Sequence, residues 1–472
     1  MLIADQISFR YPQDGTGLDP VSLQVDRGEF VAGSGVSGSG KSTLARCLSG
    51  LIPHLYRGTM RGEVQVQGIS TRESFLFALA EEVGLVFQNP SQQMLAPTVE
   101  DEILFGLENL GLSRTEIARR LEDSLARFGL EPLRGRSPQS LSSGEMQKVA
   151  LAAITARRPP FLILDEPLSM LDTTASHALI RYLDRLRNHG QAVVLFEHRL
   201  EWLEGIPEVK SLTLPQQQVS VPESIPDCPL PLQDHFTLAV EDLSLRIGQK
   251  GILEDIDFTA ASGELVAIVG QNGVGKTTLL RAVAGLQSYR GSIELHGSPG
   301  VEEPDLGLVF ENPDLQLFNA SVEKEITYRI EAPDFNYYRW LLHSLGLTPY
   351  EQASPLLLSE GEKKRLALAA VLMRNPAHGV LLDEPSLGQD MTHKQLLVKM
   401  LRKYAESGKV TIFATHDLHL TYQADKIIVL GKNSLIAAGN PQALYRQKSV
   451  WKEAGLVLPG WAQPGKLERW NP

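Results

Sequence analysis

The chain has 472 residues, of which 43% are hydrophobic and 7% aromatic, so it can bury the cores of about two to four domains. Acidic residues outnumber basic ones by 56 to 45, and the net charge of −11 argues against a nucleic-acid binder, which usually presents a basic surface to phosphates. With only Cys47 and Cys228, a disulfide framework and a cysteine-rich zinc site are excluded. No run approaches the ~18 apolar residues of a membrane helix, and residues 1–12 lack the pattern of a secretory signal, so we expect a cytoplasmic protein.

Four motifs occur twice along the chain, each time in the same order, which indicates a duplicated domain. The pairs are GVSGSGKSTL (35–44) and GQNGVGKTTL (270–279), VGLVFQNP (83–90) and LGLVFENP (306–313), LSSGEMQKVALAA (141–153) and LSEGEKKRLALAA (358–370), and FLILDEP (161–167) and GVLLDEP (379–385). We place the two domains at residues 1–213 and 234–472. Residues 214–233 between them contain five prolines and a glutamine run, which predicts an extended linker.

In each domain, short apolar runs without alternation predict buried parallel strands. In chain order they are residues 30–32, 161–164 and 193–196 in the first domain, and 265–269, 380–382 and 411–414 in the second. Strands that alternate with helical segments predict an α/β fold around a mainly parallel sheet. The segment between the first two runs of each domain is long enough to hold a separate helical subdomain.

A phosphate-binding loop, G-x-x-x-x-G-K-[ST], follows the first apolar run of each domain. Its glycines let backbone amides turn towards phosphate oxygens, and its lysine neutralises further charge. We assign Lys41 and Lys276 to the β- and γ-phosphates of ATP, and Ser42 and Thr277 to Mg²⁺. The predicted nucleotide-binding residues of the two loops are Gly35, Ser37, Gly38, Ser39, Gly40, Lys41, Ser42 and Thr43, and Gly270, Asn272, Gly273, Val274, Gly275, Lys276, Thr277 and Thr278.

An Asp-Glu pair ends the second apolar run of each domain. A lone pair of this kind can simply end a strand. Because it lies downstream of a phosphate loop, we interpret Asp165 and Asp383 as Mg²⁺ ligands, and Glu166 and Glu384 as the residues that polarise the attacking water.

Two further residues recur at equal offsets from the strand-terminal aspartate. His198 and His416 each lie 33 residues beyond it, which favours contact with the γ-phosphate and attacking water over an ordinary surface histidine. Asp172 and Asp390 each lie seven residues beyond it, where an aspartate can also cap a helix. The motifs LSSGE and LSEGE, at residues 141–145 and 358–362, are typical of a helix start.

These motifs, in this order, resemble the ATP-binding-cassette (ABC) ATPases over the whole chain except the linker and the ends. The resemblance implies two domains, each with a phosphate-loop sheet, an antiparallel β part and a helical subdomain. It also implies that the two domains pair head to tail within the chain and enclose two MgATP molecules, with Asp172 and Asp390 crossing towards the opposite site. The resemblance also adds residues to the sites. Tyr11 would stack on adenine, and Gln88 would contact ATP and Mg²⁺. The signature residues would complete the opposite sites: Ser142, Gly144 and Glu145 the second site, and Ser359, Gly361 and Glu362 the first.

A finer resemblance is to the fused ATPases of energy-coupling factor importers for vitamins and transition-metal ions. It rests on residues 88–111, 197–203, 386–390 and 452–460. It implies a motor at the cytoplasmic face of the membrane, with an integral membrane coupling subunit and a substrate-binding membrane subunit as partners. Their helices would dock after Gln88 and Glu311, and we expect acidic residues at 100–102 and 323–325 to pair with them.

The second copy departs from the first. Ile247 stands where the first has Tyr11, and Glu311 stands where it has Gln88; both signature motifs lack a second glycine and end in glutamate. We therefore expect the second phosphate-loop site to be the weaker. Two alternatives stay open: a fused sugar-importer ATPase, whose second loop is commonly damaged, and a soluble ABC protein acting on ribosomes or DNA, which commonly carries zinc modules or a charged linker.

Overall fold

The computed structural model describes residues 1–12, 17–36, 38–171, 173–197, 200–214, 222, 224–248, 250–297, 303–458 and 462. The chain divides into a first unit, Met1–Val219, and a second unit, Ser220–Pro472. Among the described residues, no helix has the length and hydropathy that a bilayer crossing requires.

The first unit begins with strands and returns to them after a helical segment. Its strands are β1 Leu2–Arg10, β2 Gly17–Val25, β3 Phe30–Ser34, β4 Thr59–Val66, β5 Ile69–Ser70, β6 Val83–Val86, β7 Phe161–Asp165, β8 Ala192–Phe196 and β9 Val209–Thr213. Its helices are α1 Lys41–Leu48, α2 Leu51–His54, α3 Leu76–Glu82, α4 Val99–Glu108, α5 Arg114–Phe128, α6 Ser143–Ala156 and α7 Thr173–Asn188.

The second unit repeats this order and extends it. Its strands are β10 Thr237–Ile247, β11 Lys250–Ala261, β12 Leu265–Val269, β13 Tyr289–His296, β14 Leu306–Val309, β15 Gly379–Asp383, β16 Val410–Thr415, β17 Lys426–Leu430 and β18 Leu435–Gly439. Its helices are α8 Lys276–Val283, α9 Val322–Ile326, α10 Phe335–Ser344, α11 Glu360–Met373, α12 Met391–Ala405, α13 Leu418–Tyr422, α14 Pro441–Tyr445 and α15 Lys448–Glu453.

Each unit holds one parallel and one antiparallel sheet. The parallel order is β6-β7-β8-β3-β9 in the first unit and β14-β15-β16-β12-β17 in the second, where β18 adds an antiparallel edge. The antiparallel orders are β2-β1-β4-β5 and β11-β10-β13. Because parallel strands end at the same edge of a sheet, the loop after β3 and the carboxylates that end β7 share one edge, as do their counterparts after β12 and β15. The predicted α/β class, with a parallel core, is confirmed.

The apolar runs become fully buried strands because both faces of each parallel sheet are covered. All five residues of β7, of β8 and of β12 are buried. In the first unit, one core lies between the parallel and antiparallel sheets and includes Leu44 and Leu48 of α1. A second core joins the other face to α4, α5, α6 and α7, which include the predicted helical segment.

The proline-rich segment does not extend freely over its whole length. Ile225, Cys228 and Leu230 are half-buried against the core of the second unit. Trp340 Nε1 donates a hydrogen bond to the Pro226 carbonyl at 3.0 Å, and Lys403 pairs with Asp227 at 2.8 Å. Prolines remove the option of a helix here, but the side chains between them are apolar enough to pack.

A bulge interrupts the first strand of both antiparallel sheets at the same place. In the second unit, Asp242 has φ +49° at a register shift between Glu241 and Ser244. Gly291 on β13 faces this bulge, and a Cβ added to it would lie 2.5 Å from the carbonyl oxygens of Glu241 and Asp242. Only glycine therefore fits opposite the bulge.

We predict that Gly291→Ala destabilises the second unit by at least about 3 kcal/mol, since the methyl group displaces two backbone carbonyls. Gly285→Ala is the matched control. Its φ of +71° is also left-handed, although less extreme than the +99° of Gly291, and nothing lies within 4 Å of the added Cβ, so the loss is about 1 kcal/mol. Urea unfolding curves of the two variants measure the difference, and equal losses would contradict the close approach.

Candidate functional site

The phosphate loops turn sharply between a strand and a helix. In the first unit, β3 ends at Ser34 and α1 begins at Lys41. Gly38 and Gly40 have φ of +79° and +93°, and a Cβ on Gly40 would lie 2.9 Å from the Gly17 carbonyl oxygen. The second loop has the same form, with φ of +80° at Gly273 and +106° at Gly275. This backbone can present several amides to an anion ahead of a helix N-terminus.

Each loop lysine is buried and faces the glutamate that follows the parallel strand. Lys41 Nζ donates to the Gly35 carbonyl at 2.9 Å and lies 3.3 Å from Glu166 Oε1. Lys276 Nζ donates to the Gly270 carbonyl at 2.9 Å and lies 3.8 Å from Glu384 Oε1. The structure therefore brings together two motifs that are more than 100 residues apart in each copy.

The strand-terminal aspartates lie beside the loop hydroxyls. Ser42 favours the charged form of Asp165, and Thr277 favours that of Asp383. Burial raises the pKa of Asp165 to about 6, and the neighbouring Glu166 carboxylate adds to the effect. Burial likewise raises the pKa of Asp383 to about 7, with Glu311 as the next cause. Both aspartates are thus held where negative charge is unfavourable without a cation.

One oxygen of each aspartate is left without a partner. Asp165 Oδ1 and Asp383 Oδ1 are buried, and no hydrogen-bond partner for them exists within the described residues. A carboxylate oxygen beside a hydroxyl is a hard ligand pair that suits Mg²⁺. Over the same residues, no group of three or more histidine, cysteine, aspartate or glutamate side chains is arranged to hold a metal. The pair therefore fits a Mg²⁺ ion that takes further ligands from phosphate and water.

The two glutamates are held by different partners. Glu166 Oε2 accepts a hydrogen bond from Gln88 Nε2 at 2.7 Å. Glu384 Oε2 accepts from Thr415 Oγ1 at 2.9 Å, and His416 Nδ1 lies 3.0 Å from Glu384 Oε1. Burial opposes the charge on Glu384, but His416 and Lys276 outweigh it and lower its pKa to about 2. The second glutamate is therefore an ionised carboxylate in contact with the predicted histidine.

The signature motifs start helices α6 and α11, as the sequence suggests. Ser142 accepts from the Glu145 amide, and the Glu145 carboxylate accepts from the Ser142 amide at 2.9 Å. Ser359 and Glu362 form the same capping box. Each glutamate carboxylate is thus occupied at its own helix end, which explains why glutamate is accommodated there. Gly361 lies against backbone, since a Cβ on it would be 2.6 Å from the Gly388 carbonyl oxygen.

The remaining predicted residues are placed less fully. Ser37, Asp172 and His198 lie outside the described residues. Tyr11 accepts a hydrogen bond from Arg46 Nη1 at 3.0 Å. Asp390 caps α12 by accepting from the His393 amide at 2.9 Å. The other loop and signature residues lie in or next to the elements described above: Gly35, Ser39, Thr43, Gly144, Asn272, Val274 and Thr278.

Sequence reasoning missed the groups that hold the backbone of the two glutamates. Ser169 Oγ donates to the Glu166 carbonyl, and Lys364 Nζ donates to the Glu384 carbonyl, each at 2.8 Å. The signal was present in the repeat, because LSSGEMQK aligned with LSEGEKKR places Lys364 opposite Gln147.

The chain is similar in sequence to known ATP-binding proteins of ABC transporters. A model of the ABC transporter family matches residues 18–169 and 253–387, more than half of the chain. The chain is 32% identical over 528 residues to a Bacillus subtilis protein named "Putative HMP/thiamine import ATP-binding protein YkoD", covering 97% of this chain and 95% of that protein. It is 32% identical over 475 residues to a Treponema denticola "Putative ABC transporter ATP-binding protein", covering 92% and 96%. A solved structure titled "Model of ribosome-bound archaeal Pelota and ABCE1" has a TM-score of 0.65 at 23% identity over 94% of this chain and 80% of the other, a likeness of fold alone.

We predict that Asp165→Asn together with Asp383→Asn raises the melting temperature of the nucleotide-free chain. Each change removes a buried carboxylate beside another carboxylate and puts a neutral amide of similar shape in its place. The same variant loses the Mg²⁺-dependent stabilisation by ATP, since the amide oxygen of asparagine is a weaker Mg²⁺ ligand than the carboxylate oxygen of aspartate. Thermal unfolding with and without MgATP measures both effects.

Asp417→Asn is the matched control for that variant. Asp417 is also buried in the second unit, but it pairs with Lys394 at 2.6 Å, so its loss lowers the melting temperature. A lowered melting temperature in the Asp165 and Asp383 variant would contradict our account of the two aspartates.

Proposed function

This chain belongs to the ABC transporter family and is an ATPase, and from that membership we propose that it drives an importer of the energy-coupling factor type. The importer takes up a vitamin-like or metal-ion solute through separate membrane subunits. The chain then acts at the cytoplasmic face of the membrane. The relative from Bacillus subtilis, whose name refers to HMP/thiamine import, supports this choice of transport class.

One observation carries the proposal of two hydrolytic sites. In each unit, the loop lysine, loop hydroxyl, strand-end aspartate and following glutamate lie in one cluster. A fused sugar importer commonly has a damaged second loop, whereas the second loop here keeps its lysine, its threonine and both left-handed glycines. The intact second cluster favours the energy-coupling factor type over that alternative.

The residues of each cluster divide the work of hydrolysis. The loop amides and the lysine bind the β- and γ-phosphates, and the lysine then exchanges its carbonyl partners for phosphate oxygens. The hydroxyl and the aspartate would hold Mg²⁺, which supplies charge neutralisation across the phosphates. Glu166 or Glu384 orients the attacking water and accepts its proton through a carboxylate oxygen. His416 already contacts Glu384 and can hold that carboxylate in position.

The signature serines complete each site from the opposite domain in this proposal. Ser142 and Ser359 lie at helix N-termini, where backbone amides attract anions. Head-to-tail pairing within the chain would bring Ser359 to the first phosphate loop and Ser142 to the second. The tandem arrangement of the curated relatives over nearly the whole chain supports this pairing.

The segments after Gln88 and Glu311 are the proposed docking sites for membrane subunits. Each exposes large apolar side chains: Leu95 and Phe105 in the first unit are 75% and 55% exposed, and Leu315 and Phe318 in the second are 69% and 65% exposed. Apolar anchors of this kind suit an amphipathic helix of a partner. Their repetition in both units supports one docking site on each.

The structure removes two of the expected acidic partners of such a helix, Glu102 and Glu325, whereas Asp101 stays exposed. Glu102 and Glu325 are buried, and each accepts two backbone amides of the preceding loop, at 95–96 and at 318–319. Glu100 is held by Arg134 at 2.6 Å. A buried carboxylate that accepts amides of its own domain is not accessible to a partner, so Glu102 and Glu325 are not available for pairing. The docking proposal therefore rests on the apolar side chains.

We predict that Glu166→Gln together with Glu384→Gln keeps ATP binding within about threefold and lowers turnover at least about 100-fold, because binding rests on the lysines and amides while water activation needs the carboxylates. Steady-state ATPase assays and nucleotide titration measure the two quantities. Turnover at the parental rate would overturn the assignment.

We also predict that Leu95→Asp together with Phe318→Asp abolishes retention of the chain by detergent-solubilised membrane subunits. ATPase activity of the isolated chain stays within about twofold, since both side chains lie at the surface. Leu286→Asp is the control, because Leu286 is 61% exposed in another segment. Full retention of the double variant, or equal loss in the control, would reject this docking surface.

A further inference from the structure

The two copies fix the peptide of the water-activating glutamate by different side chains. In the first unit, Ser169 Oγ donates to the Glu166 carbonyl at 2.8 Å. In the second unit, Leu387 occupies the position of Ser169 and offers no side-chain donor. Lys364 Nζ takes over this role from α11 and donates to the Glu384 carbonyl at 2.8 Å. Both glutamates have φ near +47° (+48° and +46°), so both peptides need such support.

A second exchange accompanies the first. Gln88 and Gln147 of the first copy correspond to Glu311 and Lys364 of the second. Gln147 and Lys364 are both buried, 0% and 5% exposed, at the same turn of α6 and α11. Two neutral amide side chains in the first copy are thus replaced by a carboxylate and an ammonium group in the second. The summed charge of the two positions is zero in both copies.

The surroundings of Lys364 show why the two changes belong together. Burial lowers the pKa of Lys364, and the charge that most opposes this effect is that of Glu311. Glu360, Glu384 and Asp383 also act on Lys364, so its ammonium group faces four carboxylates. A buried ammonium without compensating charge is costly, and so is a carboxylate added beside Asp383. Each substitution is therefore tolerated because of the other.

We propose that Lys364 is a positioning residue of the second site, which holds the Glu384 peptide through its carbonyl and balances the charge of Glu311. This inference rests on the proposed role of Glu384 in hydrolysis. The second site therefore differs from the first in two ways. The carbonyl of its glutamate is bonded by Lys364 of α11, and the residue that corresponds to Gln88 is Glu311, a carboxylate. Loss of Lys364 lets the Glu384–Pro385 peptide move, which affects the chemical step more than the binding of ATP, because ATP is held by the loop.

The test uses the full chain and five variants. They are Lys364→Gln and Glu311→Gln alone, the two together, Lys364→Gln with Leu387→Ser, and Lys409→Gln. The Leu387→Ser change supplies the hydroxyl that Ser169 provides in the first copy. Lys409 is the matched control, because it is a buried lysine that donates to the carbonyls of Pro376 and Ala377 at 2.8 and 3.0 Å.

The first readout is the melting temperature of the nucleotide-free chain. Glu311→Gln and Lys364→Gln each lower it, and the double variant lowers it by less than the sum, since it restores the balance found in the first copy. Additive losses would overturn the charge pairing, and they would do so whatever the role of Glu384.

The second readout is steady-state hydrolysis. Lys364→Gln lowers kcat while KM for ATP stays within about twofold. The fall in kcat is at most about twofold if the two sites act independently and contribute equally, and it is larger if they are coupled. Leu387→Ser restores part of this loss, whereas Lys409→Gln lowers only the melting temperature. Unchanged kcat in Lys364→Gln, or an equal fall in Lys409→Gln, would overturn the positioning role. If Glu384→Gln also left turnover unchanged, the proposed function itself would fail.

Discussion

A buried lysine faces a buried glutamate at the edge of the parallel sheet in each unit, 3.3 Å apart in one and 3.8 Å apart in the other. Neither charge could be buried alone, because each needs the other to offset the loss of water. The phosphate loop must therefore hold its lysine within contact distance of the glutamate at the sheet edge. The glycines with positive φ allow the backbone to make the turn that this requires. Among the described residues, one oxygen of each neighbouring aspartate has no hydrogen-bond partner, so it can serve as a ligand for a cation.

The two copies keep this contact and differ around it. Glu166 accepts a hydrogen bond from Gln88, whereas Glu384 accepts one from Thr415 of β16. Because glutamate at position 311 cannot donate a hydrogen bond, the second carboxylate has no donor at the position of Gln88. Duplicated domains can thus exchange supporting residues while the reacting groups stay in place.

Much of this account could be predicted from the sequence. The repeat, the parallel strands, the phosphate loops and the helix starts at Ser142 and Ser359 each depend on short spacing or periodicity, which the chain shows directly. The ABC family and its ATPase activity are confirmed, whereas the energy-coupling factor type and the individual site roles stay proposals. The burial of Glu102 and Glu325 was not predicted, since their acidic neighbours suggested a solvated face. The contact of Lys364 with Glu384 was not predicted either, because it joins residues on separate elements that only the fold brings together.

The central claim is that both phosphate loops bind MgATP with the lysine released from its carbonyl partners. The most direct measurement is the stoichiometry of a non-hydrolysable ATP analogue bound in Mg²⁺, in the parental chain and in Lys41→Ala and Lys276→Ala. The account predicts two molecules per chain, and one in either lysine variant. A single molecule per chain that is insensitive to Lys276→Ala would contradict it.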